Sequence, residues 1–483
     1  MTENTLYYKS FVRRSLIPCN ISRLFIYHTR NGTLQRLIAP WSGLTVISQS
    51  GGIKDGAVTH FRLSIGPLKI TWIAKHFGYI QNQRFQDDMI KGPFKKWIHT
   101  HSFQAQGENN CVLEDEINYI LKFSKLGSML FQNRIQNYLN QLFLYRHRIL
   151  INDTRIMKNL VEKNRNILIS GSHGLIGSAL IPFLSSVGNC RITRLIRPNI
   201  NGKNHPVNTD DRLVYWDLEH KKLNLAELEG FDVIIHLTGE NLFGRWSNSK
   251  KRVIIESRVK STRFLCESMS KLSRPPNLLI TASAIGYYGN RINEIMTEDS
   301  NPGSGFLSEL CQEWEDVARN ATKLGIRVIN MRFGLVLSPL GGILQQLLRF
   351  SRLGMSLSIG NKSRIISWVS IEDVLASIFH SIINSSISGP VNIVSPTPVT
   401  NLEFSRTLKR VLRTHLSLTI DEGMAKKIFG QFYDEVLSPS IFVIPKRLTS
   451  TGYKFFNSSL EDSLRFLLGR QIELGGSKLN TTL

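Results

Sequence analysis

The sequence predicts an α/β chain built around a doubly wound parallel sheet, preceded by an α+β domain of antiparallel strands and one long helix. Three observations carry this. The apolar run Ile167-Leu168-Ile169 leads directly into Gly171-Ser-His-Gly174-Leu-Ile-Gly177, and Leu175, Ile176, Leu180, Phe183 and Leu184 then recur at helical spacing. Beyond it, short apolar runs alternate with longer amphipathic stretches. Before residue 125, polar and apolar residues instead alternate along parts of the chain.

Taken in chain order, residues 60–76 alternate around Gly66-Pro67, as two antiparallel strands joined by a turn do. Trp97–Phe103 and Cys111–Phe123 read as further strands. From Lys125 to His147 the period changes, and Leu126, Met129, Leu130, Tyr138, Leu139, Leu142 and Phe143 give one helix an apolar face. A curved sheet closed around that helix would enclose a pocket. The polar stretch Asn152–Asn166 reads as a linker. After it, strands are expected at Ile192–Ile196, Leu213–Trp216, Val233–Leu237, Leu278–Ala282 and Arg327–Phe333, and helices at Ser249–Met269, Phe306–Leu324 and Ile371–Ile383. Pro182 inside the first of the later helices is unusual and is a residue that can kink it.

The glycine-rich turn is a dinucleotide-binding fingerprint. Gly171 turns the chain sharply off the strand, Gly174 lets backbone approach a pyrophosphate, and Gly177 lets the helix lie close on the sheet. Leu175 and Ile176 open that helix, whose free N–H groups favour phosphate. An NAD site ordinarily has an acidic residue at the end of the second strand to hold the ribose 2′-OH. Here Ile192-Thr-Arg-Leu-Ile-Arg197 ends in arginine. Arg197 therefore favours NADP over NAD, since a guanidinium pairs with a 2′-phosphate; a solvent-facing strand-end arginine is the alternative.

Composition sets bounds. With 483 residues, 42% of them hydrophobic, the chain can bury more than one core. The five scattered cysteines suggest neither a disulfide framework nor a cysteine zinc site, and a reducing compartment fits them best. No apolar run approaches the ~18 residues of a membrane span, and a soluble cytoplasmic protein is expected. The net charge of +23 is spread along the chain, so specific nucleic-acid binding is not expected, and the densest run, Lys250-Lys251-Arg252, reads as a solvated helix face. No metal site is expected: His99 and His101 would face one side of a strand, but no third ligand is apparent in sequence.

With these elements placed, the chain resembles the epimerase branch of the extended short-chain dehydrogenase/reductase superfamily. The likeness rests on Gly171–Gly177, His236-Leu-Thr-Gly-Glu240, Ser283-Ala-Ile-Gly-Tyr-Tyr-Gly289, Phe306–Glu315, Ser367-Trp-Val-Ser-Ile-Glu-Asp373 and Ser388-Gly-Pro-Val-Asn392. It implies a Rossmann-type domain over 166–400 and a small C-terminal domain over 401–470, the latter carried by Val443–Arg447 and Gly452–Phe455, with 471–483 as a tail. It also implies that Asp217 and Leu218 lie by the adenine, and that Gly239, Glu240 and Arg245 line the cofactor cleft. Residues 1–150 are similar to the START-like helix-grip domain fused ahead of some bacterial members, on Pro40-Trp41, Gly51–Gly56, Gly92-Pro-Phe94 and Tyr145-Arg-His147; that likeness implies a cavity for a hydrophobic ligand, with 151–165 as the linker.

The resemblance implies an acid/base group of a serine or threonine after the fifth strand with a Tyr-x-x-x-Lys helix, whose lysine lowers the tyrosine pKa. Ser283 fills the serine position. The helix offers Phe306 and Leu310, or Leu307 and Cys311 in a register shifted by one, and none of the 12 tyrosines is followed four residues later by lysine. Tyr287 or Tyr288 could supply a substitute phenol or simply pack the cleft floor. The resemblance implies an NADP-binding oxidoreductase or epimerase of unknown substrate, or a regulatory protein that holds NADP without turnover.

Overall fold

In the computed structural model, residues 8–122, 125–158, 164–198, 212–457 and 459–472 are described. The chain forms two compact units. The first comprises Met1–Glu162, Ser185–Asn189 and Arg465–Leu483; the second comprises Lys163–Leu184 and Cys190–Leu464.

In the first unit, β1 (Lys9–Ile17), α1 (Ile21–Thr29) and α2 (Thr33–Leu37) precede β2 (Leu44–Ser50), β3 (Val58–Ile65), β4 (Leu68–Ile80), β5 (Arg84–Lys91), β6 (Lys96–Ala105), β7 (Cys111–Ile120) and α3 (Lys125–Lys158). The strands make one antiparallel sheet in the order β1-β7-β6-β5-β4-β3-β2. Gly66, at φ +57°, turns β3 into β4 and fixes the Ile65–Leu68 pairing. Alternate residues of β7 are buried, and Ile117 and Tyr119 pack with Phe11, Trp97, Leu139 and Phe143.

The long helix does not stop near His147 with a linker following from Asn152; it continues to Lys158. The polar stretch that looked solvent-bound is partly internal. Asp153 is fully buried, accepting hydrogen bonds from Arg36 Nε (3.0 Å), Arg36 Nη2 (2.9 Å) and the Tyr27 hydroxyl (2.8 Å). Of the rest of the expected linker, 159–163 lie outside the described residues, and Asn166 already opens a strand.

The chain returns to this unit at Arg465. The Phe466 ring stacks on Tyr145 at 4.7 Å, Gly469 lies flat on the Trp41 indole, and Gln471 and Gln141 exchange two hydrogen bonds of 2.9 Å. Of the expected tail, 473–483 lie outside the described residues.

The second unit contains β8 (Asn166–Ser170), α4 (Leu175–Ser186), β9 (Arg191–Ile196), β10 (Arg212–Asp217), β11 (Lys222–Leu223), α5 (Leu225–Leu228), β12 (Val233–His236), α6 (Asn248–Ile255), α7 (Ser261–Met269), β13 (Leu278–Ala284), β14 (Arg291–Met296), α8 (Phe306–Arg319) and β15 (Arg327–Phe333). Its main sheet runs β11-β10-β9-β8-β12-β13-β15, then the strand Gly389–Ile393, parallel except for β11. From β10 to β15 this is the 3-2-1-4-5-6 order of a Rossmann sheet, with the reversal between β8 and β12. The central strands are buried on both faces, which is why they read as continuous apolar runs.

The expected helix Ser249–Met269 is interrupted by a π-helical turn at Glu256–Lys260, and the expected Phe306–Leu324 helix tightens to a 3₁₀ turn after Arg319. The helix α4 runs through Pro182 from Leu175 to Ser186. No helix among the described residues is long and apolar enough to cross a membrane, and the five cysteines are buried free thiols.

Candidate active site

The reversal in strand order brings the loops after β8 and β12 together. Gly171 sits at φ +71°, and a Cβ there would meet the backbone of Leu237 at 2.6 Å and of Thr238 at 2.9 Å, so no other residue fits between these loops. At Gly177 a Cβ would strike the backbone of Gly171 and Ser172, so the start of α4 lies hard against the loop. Gly174 differs: a Cβ would touch only the Gly171 carbonyl, at 3.2 Å, and its remaining side is open.

The loop and the first turn of α4, including Leu175 and Ile176, contain no acidic residue, and the buried Ser172 hydroxyl has no hydrogen-bond partner among the described residues. An open glycine, unpaired helix N–H groups and an orphan hydroxyl fit a pyrophosphate. Arg197 is exposed just beyond the end of β9.

Asp217 ends β10, where its carboxylate accepts from the backbone of Glu219 (2.9 Å) and His220 (3.1 Å) and from His220 Nδ1 (2.7 Å); Leu218 follows, half-buried. Glu240 holds Lys250 at 2.5 Å, so one residue of the basic run is tied to the cleft loop instead of facing water. Gly239 lies against the Arg258 guanidinium, 3.1 Å from where a Cβ would stand, and Arg258 Nη2 donates to the Glu240 carbonyl at 2.9 Å. Arg258 comes from the π-helical turn, and burial lowers its pKa. Arg245 is exposed beside Gly430.

The chemistry-bearing residues gather past β13. Glu435 caps α8 by accepting from Phe306 N and Leu307 N, both at 3.1 Å, and its charge suits a helix N-terminus. So anchored, α8 places Leu307 against Gly286, and the Cys311 thiol against the Ser283 hydroxyl and the Ala284 backbone. The shifted register is therefore the one adopted. Burial, reinforced by Glu315, pushes the thiol up to about 11, so where the family's lysine carries a charge this chain has a neutral group.

Ser283 donates its hydroxyl to Glu315 Oε1 at 2.6 Å. Glu315 is paired with Arg332 through two bonds of 2.8 and 2.7 Å, and Arg332 Nη1 donates to the Tyr288 hydroxyl at 2.9 Å. Tyr288 in turn donates to Asn392 Oδ1 at 2.7 Å. Burial pushes the Tyr288 phenol up to about 12 and works against the Arg332 charge, but Glu315 and Tyr288 hold that guanidinium above its ordinary pKa.

Tyr287 is half-buried, with its ring face 3.5 Å from the Arg332 guanidinium carbon, and its backbone carbonyl accepts from the Ser308 hydroxyl. Glu315 and Asn392 lie within the motifs of the resemblance and Arg332 does not; the sequence signal for it is a charge set between Met331 and Phe333 near the C-terminal end of a buried strand.

Two motif residues are structural. His236 is fully buried between the hydroxyls of Ser170 (2.6 Å) and Ser261 (3.1 Å). Asp373 completes a reciprocal cap with Ser370 and also accepts from Tyr453 and the Phe456 N–H.

The model of the NAD-dependent epimerase/dehydratase family matches residues 167–393. An epimerase family protein of Mycobacterium bovis is 32% identical over 308 residues, covering 64% of this chain and 99% of that protein; one of Bacillus subtilis is 30% identical over 306 residues, covering 63% and 98%. A Corynebacterium glutamicum structure, described as a nucleoside-diphosphate sugar epimerase, is similar over 95% of this chain and 90% of that one, at TM-score 0.76 and 28% identity. A human epimerase family protein solved with NADPH is similar over 63% of this chain and all of that one, at TM-score 0.56 and 26% identity. Given the Rossmann strand order, the glycine loop and these relatives, the chain belongs to the NAD-dependent epimerase/dehydratase family.

Proposed function

We propose that the second unit binds NADP(H) in preference to NAD(H) and serves an oxidoreductase or epimerase reaction on a substrate still to be identified. The observation that carries the reading is the open face of Gly174 at the head of α4, with Arg197 one strand away where a 2′-phosphate would lie. The cofactor would supply the hydride. Ser283, whose hydroxyl donates its hydrogen bond to Glu315, would accept one from the substrate hydroxyl, and Tyr287 would relay that hydroxyl's proton.

Calorimetry tests the cofactor choice. Wild type should bind NADPH at least tenfold more tightly than NADH, and Arg197→Ala should erase the difference, because a charge-assisted contact contributes ~1.5–3 kcal/mol. Equal affinities in wild type would reject it.

A second reading, a cofactor sensor without turnover, draws on the Leu307/Cys311 pair and on the committed Ser283 hydroxyl. The two separate in a metabolite screen that follows NADPH absorbance, beginning with nucleoside-diphosphate sugars, the class named for the Corynebacterium protein. With a substrate in hand, Ser283→Ala and Tyr287→Phe should each lower kcat by ~10²–10⁴ while leaving NADPH affinity near wild type. For the first unit, the seven-stranded sheet with its 34-residue helix supports a helix-grip, START-like holder of a hydrophobic ligand. Mass spectrometry of small molecules released from the purified protein tests that.

A further inference from the structure

We propose that the first unit binds a divalent cation of the zinc class at Asp87, His99 and His101. The two histidines are separated by one residue on β6 and share a face, and the sheet register sets Asp87 of β5 directly opposite His99. The third ligand missing from the sequence thus comes from the neighbouring strand. Each residue offers a ligand atom within 4.8 Å of the other two. Zinc bonds of ~2.0–2.1 Å put tetrahedral ligand atoms about 3.4 Å apart, so closure needs small side-chain rotations.

The surroundings resemble the outer sphere of a metal site. His99 turns Nε2 to Asp115 Oδ1 at 3.1 Å and Nδ1 towards Asp87 Oδ2 at 3.3 Å. A carboxylate behind one imidazole nitrogen fixes the tautomer that presents the other nitrogen to a metal. Asp115 also faces His101 Nδ1 and His147 Nε2, both at 2.5 Å, and His147 is held from behind by the Ser15 hydroxyl at 2.8 Å. His101 Nδ1 is buried yet makes no properly directed hydrogen bond. Its ring is fixed by stacking on Phe85 at 4.2 Å, and His99 packs against Phe143. The side chains of Asp87 and His101 keep 16% and 14% exposure, which gives the ion a way in and leaves a coordination position for water.

The test uses the full chain, stripped with a chelator and titrated with Co²⁺ and then Zn²⁺. One equivalent of Co²⁺ should raise the visible d–d bands of four-coordinate cobalt, and Zn²⁺ should bleach them. Asp87→Asn and His101→Gln should each weaken binding more than tenfold with the far-ultraviolet circular dichroism unchanged, and Asp115→Asn by 10–100-fold, as outer-sphere losses do. Absence of a saturable cobalt band in wild type would overturn the proposal, whatever the variants do. So would affinity unchanged from wild type in both Asp87→Asn and His101→Gln, which would put the ion elsewhere.

Discussion

Arg332 presents five donors with only 3% of its side chain exposed, so its partners decide whether it holds the second unit together. Removing one member of a buried pair leaves the other charge stranded. Arg332→Met should therefore cost ~3–5 kcal/mol in urea denaturation, and adding Glu315→Leu should restore much of it.

His236 gives a pH signature. Burial holds its pKa at about 3 against an ordinary 6.5, so between those values the unfolded chain binds a proton that the folded chain refuses. Its contribution is fully present above pH 6.5 and lost as pH falls, by about 1.4 kcal/mol per unit. Between pH 7 and 5, His236→Gln should lose about 2 kcal/mol less stability than wild type. The apolar run Val233–Leu237 around that histidine marks it in sequence as a core residue. Cys311 was not, because only packing on Ser283 chooses between two helix registers one residue apart.

At the scale of elements, the glycine loop separates binding from folding. Gly174→Val fills open space and strains no left-handed backbone, so it should abolish NADPH binding in calorimetry at a stability loss on the order of 1 kcal/mol. Gly177→Ala should do the reverse of a selective change: its methyl meets loop backbone, and melting temperature should fall along with affinity.

The parallel strands were readable because burial on both faces removes polar residues from them. Where burial admits polar groups, as at Asp153 in α3, composition misleads and the helix end is misplaced by 11 residues, from His147 to Lys158. The π-helical turn at Glu256–Lys260 leaves no mark in hydrophobic periodicity, since one extra residue in one turn barely shifts the pattern.

At the scale of the molecule, the first unit is not a continuous stretch of chain. A fragment ending at residue 162 lacks Phe466, which is fully buried, and the segment that covers Trp41. It should be ~3–5 kcal/mol less stable than the same fragment supplied with a peptide spanning 460–472, the cost of an emptied aromatic site. Chemical denaturation with and without the peptide checks this; equal midpoints would show that the segment adds nothing.

During synthesis that arrangement becomes a delay. About 300 residues separate the body of the first unit from its closing segment, and at ribosomal speeds they take roughly 15–60 s to emerge. For that interval the Tyr145 and Trp41 faces stand uncovered on the nascent chain, exposed to chaperones and proteases, while the nucleotide-binding sheet is still being translated. The first unit, begun before the second, is therefore completed after it.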